Sequence, residues 1–225
     1  MEKPKRSKEI LITGVALLLL VLVVAAIFWE KSPTTLYPQE IREYEGQNLS
    51  SMGDFRENSI RGPQHVNAST YRLRIAGLVN TSKEYTYDEI VSSFQKYQKV
   101  VTLHCVEGWS AKILWEGFLL KDLLQEAGIR SETKVVIFRA YDGYSTPLQL
   151  DYLLENDILL AYKMNGLVLP PERGFPLQLV AESRYGYKWI KWITEIELTD
   201  DTNYLGYWES RGYPNDPVVP DNSAP

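Results

Sequence analysis

The pattern of apolar and polar positions divides the chain sharply near its start. Ile10 to Trp29 (ILITGVALLLLVLVVAAIFW) is an uncharged apolar run. As a helix rising 1.5 Å per residue, about 20 residues cross a hydrocarbon core of about 30 Å. The run reads as a transmembrane helix. It is longer than the roughly 7 to 15 residues of a signal-peptide h-region, and no clean small-x-small cleavage site follows Trp29. An uncleaved, single-pass anchor in the cell membrane is therefore expected. Lys3, Lys5, Arg6 and Lys8 precede it. The positive-inside bias makes residues 1–9 a cytoplasmic N-terminus, residues 10–29 the anchor, and the remainder extracytoplasmic. Residues 30–64 are polar with scattered Pro, Gly and Ser, which suits a stalk that lifts a domain off the bilayer and then runs along its surface. Residues 65–225 are left as one domain of ordinary size.

Inside that domain the periodicity changes repeatedly. Tyr71 to Val79 (YRLRIAGLV) alternates polar and apolar positions, as a half-buried strand does. In TYDEIVSSFQKY, Thr86 and Glu89 form a capping box, and Ile90, Val91, Phe94 and Tyr97 follow at helical spacing. VVTL predicts a buried strand leading into Cys105. LLKDLLQEAG predicts a short amphipathic helix, with Gly128 as its left-handed cap. Strands then dominate in KVVIFRAYDG, DILLAYKM, LVLP, PLQLVA and WIKWITEIEL, with a hairpin turn at Asn165-Gly166. Strand-rich segments with two short helices, and no regular strand-helix alternation, predict an α+β domain.

Composition changes the picture mainly by exclusion. Hydrophobic residues make up 44% of the chain, enough to bury a core and to exclude a disordered protein. A net charge of −5 gives no reason to expect a phosphate-binding face of Lys and Arg, so nucleic acid is not an expected partner. Cys105, His65 and His104 are the only Cys and His residues, too few for a structural zinc site. The G-x-G-x-x-G, P-loop and G-x-S-x-G motifs are absent. So are C-x-x-C-H and a cysteine set for an iron–sulfur cluster, so any redox partner is a separate protein.

The lone thiol of Cys105 then has three readings. Buried cysteines commonly serve as small apolar side chains. TLHC on a membrane-anchored chain also loosely resembles the sortase transpeptidases, whose nucleophile follows T-L-x-T-C; one residue is missing here, and His65 and Arg130 would have to activate the thiolate. The third reading is soft-metal ligation, where the protein gives one sulfur and a cofactor gives the rest. Leu103 to Leu124 carries C-V-E-x-W-S followed by W-x-G-x-x-L. Leu159 to Val180 carries L-A-Y-x-M-N-G-x-x-L-P-x-x-x-G-x-P, and Tyr185 to Ile193 carries Y-G-x-K-x-I-K. These ordered blocks, from about Tyr71 to Asp200, resemble the sulfite oxidase superfamily, and are especially similar to the bacterial methionine-sulfoxide reductase catalytic subunit.

The resemblance implies a sulfite-oxidase-type mixed, strand-rich molybdopterin-binding fold and a molybdenum-molybdopterin cofactor. It implies that Cys105 ligates the metal and that the dithiolene supplies the other equatorial sulfurs. Successive side chains of a strand point to opposite faces, so His104 is expected to face away. Molybdopterin brings an anionic phosphate and a flat polar pterin, which call for cationic donors and close backbone. ERGFP and SRYGYKWIK offer Arg173, Arg184, Lys188 and Lys191, with Gly174 and Gly186. On periodicity alone, this alternation of basic and aromatic residues describes a solvent face. The resemblance implies instead that Lys191 and Arg173 bind the cofactor, with Lys188 beside them. It sets Asn58 in RENSIRGP at an early pterin-contacting asparagine. Gln178 stands where many family members have the arginine of G-x-P-x-R, which keeps hydrogen bonding and loses a charge.

The substrate follows from charge. Glu107 adds a negative charge beside the cysteine, and no arginine follows before Arg130. Sulfite is disfavoured unless Arg61, Arg139 or Arg211 reaches in. A neutral sulfoxide or N-oxide needs an apolar pocket and a donor. The expected catalytic residues beside Cys105 are Tyr144 in AYDGYSTPL and Tyr207 and Arg211 in NYLGYWESRGYPNDP, with Tyr141, Trp208 and Tyr213 as further pocket candidates. For the later stretch, an aromatic clasp on the C-terminus is the alternative. The resemblance implies oxygen-atom transfer to or from a small-molecule oxide or oxyanion, with molybdenum cycling between +6 and +4. It also implies electron exchange with a membrane haem protein or a cytochrome. Relatives of this kind cross the membrane folded on a twin-arginine signal, where PKRSKEILI has Lys5-Arg6; an outward-facing domain is still expected. A non-catalytic module that keeps the pterin pocket is the other class of function, and Gln178 is the residue that points to it.

Overall fold

A computed structural model describes residues 39–220; the expected anchor, Ile10 to Trp29, lies outside them. Among the described residues no helix is long and apolar enough to cross a membrane. In chain order the elements are β1 (Glu43–Tyr44), β2 (Gln47–Asn48), β3 (Leu73–Gly77), β4 (Lys83–Tyr85), α1 (Tyr87–Ser93), β5 (Tyr97–His104) and β6 (Ser110–Leu119). They continue with α2 (Leu120–Ala127), β7 (Val135–Ala140), β8 (Ser145–Gln149), α3 (Leu150–Glu155), β9 (Leu159–Met164), β10 (Leu167–Val168), β11 (Gln178–Val180) and β12 (Ile193–Thr199).

β1 and β2 form a small hairpin. One larger sheet runs β10-β9-β6-β5 with β11 also paired to β9, and the other runs β4-β3-β12-β7-β8. Among the named strands all pairings are antiparallel except β12 with β3. The residue patterns explain these positions. β3 buries Leu73 and Ile75 and exposes Arg74, the alternation of a sheet with one covered face. β9 (LLAYKM) is buried at all but one position, as suits a strand with neighbours on both sides. One hydrophobic core draws Ile75, Trp115, Phe138 and Leu160 from the two sheets and Ile90, Leu123 and Leu153 from the three helices.

Several local expectations hold. The Thr86 hydroxyl accepts from the Glu89 amide and the Glu89 carboxylate accepts from the Thr86 amide, the reciprocal bonds of a capping box. Gly128 ends α2 at φ 76°, donating its amide to Leu124 O and Gln125 O. Asn165 and Gly166 turn at φ 46° and 82°, the pair of positive angles that a two-residue hairpin turn needs.

Four features depart from these expectations or add to them. α1 stops at Ser93; Phe94 is extended and stacks on Phe118 at 5.2 Å, and Tyr97 begins β5. Core packing recruits those two rings from extended chain. A third helix, α3, follows β8 and is only six residues long, too short to register as a period. The motif-bearing stretch after Cys105 is a ten-residue strand, β6. From Gln39 to Gln64 the expected stalk and surface segment packs along the domain, where Glu40, Ser51 and Met52 are buried. The Glu40 carboxylate accepts from the Ser51 hydroxyl (2.7 Å), the Met52 amide (2.5 Å) and Asn165 Nδ2 (2.6 Å), so this segment is tied to the β9–β10 turn.

Candidate functional site

The connection between β5 and β6 carries Cys105. Their register runs to His104 opposite Ser110. The loop beyond is closed by the Cys105 amide donating to Trp109 O (2.9 Å) and the Gly108 amide donating to Cys105 O (3.1 Å). Two long paired strands thus hold a short loop rigidly. Cys105 lines a cavity of about 360 Å³ and His104 does not, as alternation of strand faces requires. The turn at Gly186 packs against this loop: His104 bridges to Tyr185, and a Cβ on Gly186 would sit 3.4 Å from His104 O. Residues 55–60 form a strap along the cavity. Its other walls come from Asp142 and Tyr144 between β7 and β8, from Glu172, Arg173 and Gln178, from Gly186, Tyr187 and Trp189 to Trp192, and from Trp208 and Tyr213.

Charges are arranged tightly around the thiol. Asn58 Nδ2 lies 3.7 Å from Cys105 Sγ and donates to Glu107 Oε2 (3.3 Å). That carboxylate oxygen also accepts from Trp109 Nε1 (3.1 Å) and lies 3.7 Å from Arg56 Nη1. Burial pushes the Cys105 thiol up; the Glu107 backbone opposes this, the Glu107 carboxylate adds to it, and Asn58 opposes it. His65 and Arg130, the partners a transpeptidase would require, do not line the cavity.

The expected cofactor contacts divide into groups. Arg173 lines the cavity, but its guanidinium donates to the carbonyls of Met52 (2.8 Å), Phe55 (2.6 Å) and Arg56 (3.2 Å) and lies 3.9 Å from the Phe55 ring. It holds the strap. Lys191 also lines the cavity, donating to Glu57 Oε1 (2.5 Å) and Glu172 O (3.3 Å). Burial lowers its pKa against the opposing pull of Glu57. Asn58 and Gln178 line it as well. Lys188 does not. Its ammonium is fully buried away from the cavity, where it donates to Glu209 Oε1 (2.5 Å) and Pro147 O (2.9 Å). Arg184 is paired with Asp216 at 2.7 Å.

The expected catalytic residues divide similarly. Tyr144 lines the cavity, but its hydroxyl donates to Tyr187 O (2.5 Å). Tyr207 and Arg211 do not line it. They pack on each other, the Arg211 guanidinium 3.6 Å from the Tyr207 ring. Trp208 and Tyr213, from the same stretch, form the wall. Glu57, Glu172 and Trp109 were not singled out, although each lies inside a quoted motif. An anion site directs attention to cations, and their carboxylate partners carry no periodic signal.

Residues 60–208 match the family described as oxidoreductase molybdopterin binding domain. The chain belongs to this molybdopterin-binding oxidoreductase family. The domain is that of a molybdenum-dependent oxidoreductase, and its cofactor is molybdenum-molybdopterin. The chain is 36% identical over 152 residues to the uncharacterized oxidoreductase YuiH of Bacillus subtilis (strain 168), covering 67% of this chain and 76% of that one. It is 36% identical to the putative protein-methionine-sulfoxide reductase subunit YedZ1 of Azospira oryzae, covering 67% of this chain and 56% of that one. The protein-methionine-sulfoxide reductase catalytic subunit MsrP of Ralstonia nicotianae is 26% identical over 68% of this chain and 51% of its own. The chain thus spans about half the length of the last two relatives. The crystal structure of the sulfane dehydrogenase SoxCD from Paracoccus pantotrophus shares the fold, with a TM-score of 0.59 at 22% identity over 62% of this chain and 41% of that one.

The site suits the family's cofactor. The cavity is of ligand size. Arg56, Arg173 and Lys191 line it together with Glu57, Glu107, Asp142 and Glu172, and Glu172 Oε2 is buried there without a donor, open to an N–H such as a pterin carries. Among the described residues no cluster of three or more His, Cys, Asp or Glu could hold a metal ion.

Proposed function

We propose that the protein is a membrane-anchored oxidoreductase that transfers an oxygen atom from a neutral sulfoxide or N-oxide, with Cys105 Sγ as the protein ligand to molybdenum. The observation that carries this reading is the chain's single cysteine, held by the rigid β5–β6 loop, lining the cavity with Glu107 beside it. Molybdenum-molybdopterin, when bound, supplies the two-electron chemistry that adds or removes an oxygen atom.

The protein's own groups set what approaches. Hydrogen bonds from Trp109 and Asn58 lower the Glu107 pKa, so its carboxylate stays ionised and repels an anion. Arg61, Arg139 and Arg211 do not line the cavity, and Arg139 is committed to Glu197 (2.6 Å) and Tyr204 (3.0 Å). The arginines that do line it are both engaged, Arg56 lying 3.7 Å from Glu107 and Arg173 donating to the strap carbonyls, which disfavours sulfite. Phe55, Val106, Trp208 and Tyr213 offer apolar walls suited to a methylated sulfur or nitrogen. Lys191, Asn58 and Gln178 would hold the cofactor, Arg173 would support it through the strap, and Tyr144, its hydroxyl engaged, would act as a wall. The names of the YedZ1 and MsrP relatives support a sulfoxide. Ile10 to Trp29 would keep an extracytoplasmic domain at the membrane, where a haem protein or cytochrome exchanges electrons with it.

Protein purified from a cofactor-competent host is expected to contain about one molybdenum per chain, lost on Cys105→Ser. With artificial electron carriers, methionine sulfoxide, dimethyl sulfoxide or trimethylamine oxide should turn over faster than sulfite. Metal-free wild-type protein would overturn the ligand assignment, and preferred sulfite oxidation the substrate assignment. Tightly bound cofactor without turnover would make this a binding module.

A further inference from the structure

Two walls of the cavity come from segments far apart in the chain, and one buried ion pair joins them. Lys188 closes the 3-10 turn Gly186–Lys188, whose Gly186 and Tyr187 line the cavity against the Cys105 loop. Glu209 opens the 3-10 turn Glu209–Arg211, directly after the wall residue Trp208. Lys188 Nζ donates to Glu209 Oε1 (2.5 Å), and the Thr146 hydroxyl donates to the same oxygen (2.7 Å). Both charged side chains are without solvent exposure. The Trp208 ring meets Tyr213 at 5.1 Å, and Tyr213 meets Tyr187 at 5.2 Å, so the aromatic wall closes back on the turn that carries Lys188.

A buried ion pair contributes little net stability, because desolvation of both charges offsets their attraction. Its directional hydrogen bonds are better suited to selecting one arrangement of two loops. Glu209 Oε2 is buried without a donor, so the carboxylate is held through one oxygen, by Lys188 and Thr146.

We propose that Lys188 and Glu209 form a positioning pair that fixes Trp208 and Tyr213 as the outer wall of the cavity and thereby limits the size of oxide admitted. This rests on the cavity being the substrate site. The test compares wild-type holoenzyme with E209A and with K188M/E209M, in which apolar side chains fill the vacated volume. Hydrogen exchange of the Tyr207, Ser210, Arg211, Gly212 and Tyr213 amides is expected to accelerate roughly tenfold or more in both variants, with Val136 to Phe138 in β7 unchanged. Molybdenum content should stay at the wild-type level. The ratio of KM for methyl p-tolyl sulfoxide to KM for dimethyl sulfoxide should shift roughly fivefold or more, with kcat moving less.

Unchanged exchange over residues 207–213 in K188M/E209M would overturn the proposal. So would an unchanged KM ratio in a variant whose wall has loosened. If wild type reduces no oxide, the substrate assignment fails on its own, and the exchange data still decide whether the pair holds the wall.

Discussion

Glu107 and Tyr71 show how single side chains set measurable behaviour. The Glu107 carboxylate, two residues beyond Cys105, is kept ionised by Trp109 and Asn58. Unit charges roughly 6 to 8 Å apart, at an effective dielectric of roughly 30 to 40, interact by about 1 to 2 kcal/mol. Glu107→Gln should therefore improve sulfite binding by roughly five- to thirtyfold at low salt and by less at high salt, as titrations at two ionic strengths would show. Tyr71 donates its hydroxyl to Ile193 O (2.5 Å), and burial raises its pKa far above the ordinary tyrosine value. Burial raises Tyr144 in the same way and pushes Tyr85 up to about 12. Below about pH 10 these tyrosines are protonated in both folded and unfolded chains, and their stabilisation is fully present. Above it the unfolded chain ionises first, so stability falls as pH rises towards the folded pKa. The urea midpoint should drop as pH rises from about 10 to about 12. Tyr71→Phe should cost about 1 kcal/mol at pH 8 and flatten that drop.

At the scale of elements, short-range signals were legible because the bonds they encode are short-range. Thr86 and Glu89 cap α1 within four residues of chain, and Thr86→Ala should cost about 1 kcal/mol in chemical denaturation. The Asn165-Gly166 turn was equally readable, but what Asn165 does beyond turning was not. Its Nδ2 donates to Glu40 (2.6 Å) and to Ser50 O (2.8 Å), while its Oδ1 accepts from the Leu114 amide (3.0 Å). Asn165→Ala leaves the buried Glu40 carboxylate short of a donor and should cost about 2 to 3 kcal/mol, again by denaturation. The end of α1, by contrast, was misjudged from Phe94 and Tyr97, because apolar spacing alone does not separate a helix face from rings gathered by an extended chain.

Across the whole molecule, the site depends on segments that meet only after folding. Arg173 holds the strap through three backbone carbonyls, at Met52, Phe55 and Arg56. Lysine lacks the planar fork that serves several acceptors at once, so Arg173→Lys should speed tryptic cleavage after the exposed Arg56 roughly tenfold and hasten molybdenum loss on dialysis. The alternating strands, the caps, the Asn165-Gly166 turn and the singular Cys105 within its motif were legible in the chain, since each is written in neighbouring residues. Folding alone brings Asn58 to a thiol 47 residues away, turns Lys188 inward to Glu209, and makes Trp208 and Tyr213 cavity wall while Tyr207 and Arg211 are not. A long cationic or aromatic side chain can serve a cavity, a backbone carbonyl or a buried partner. Which one it reaches is set by strand pairings and loop contacts that span much of the chain.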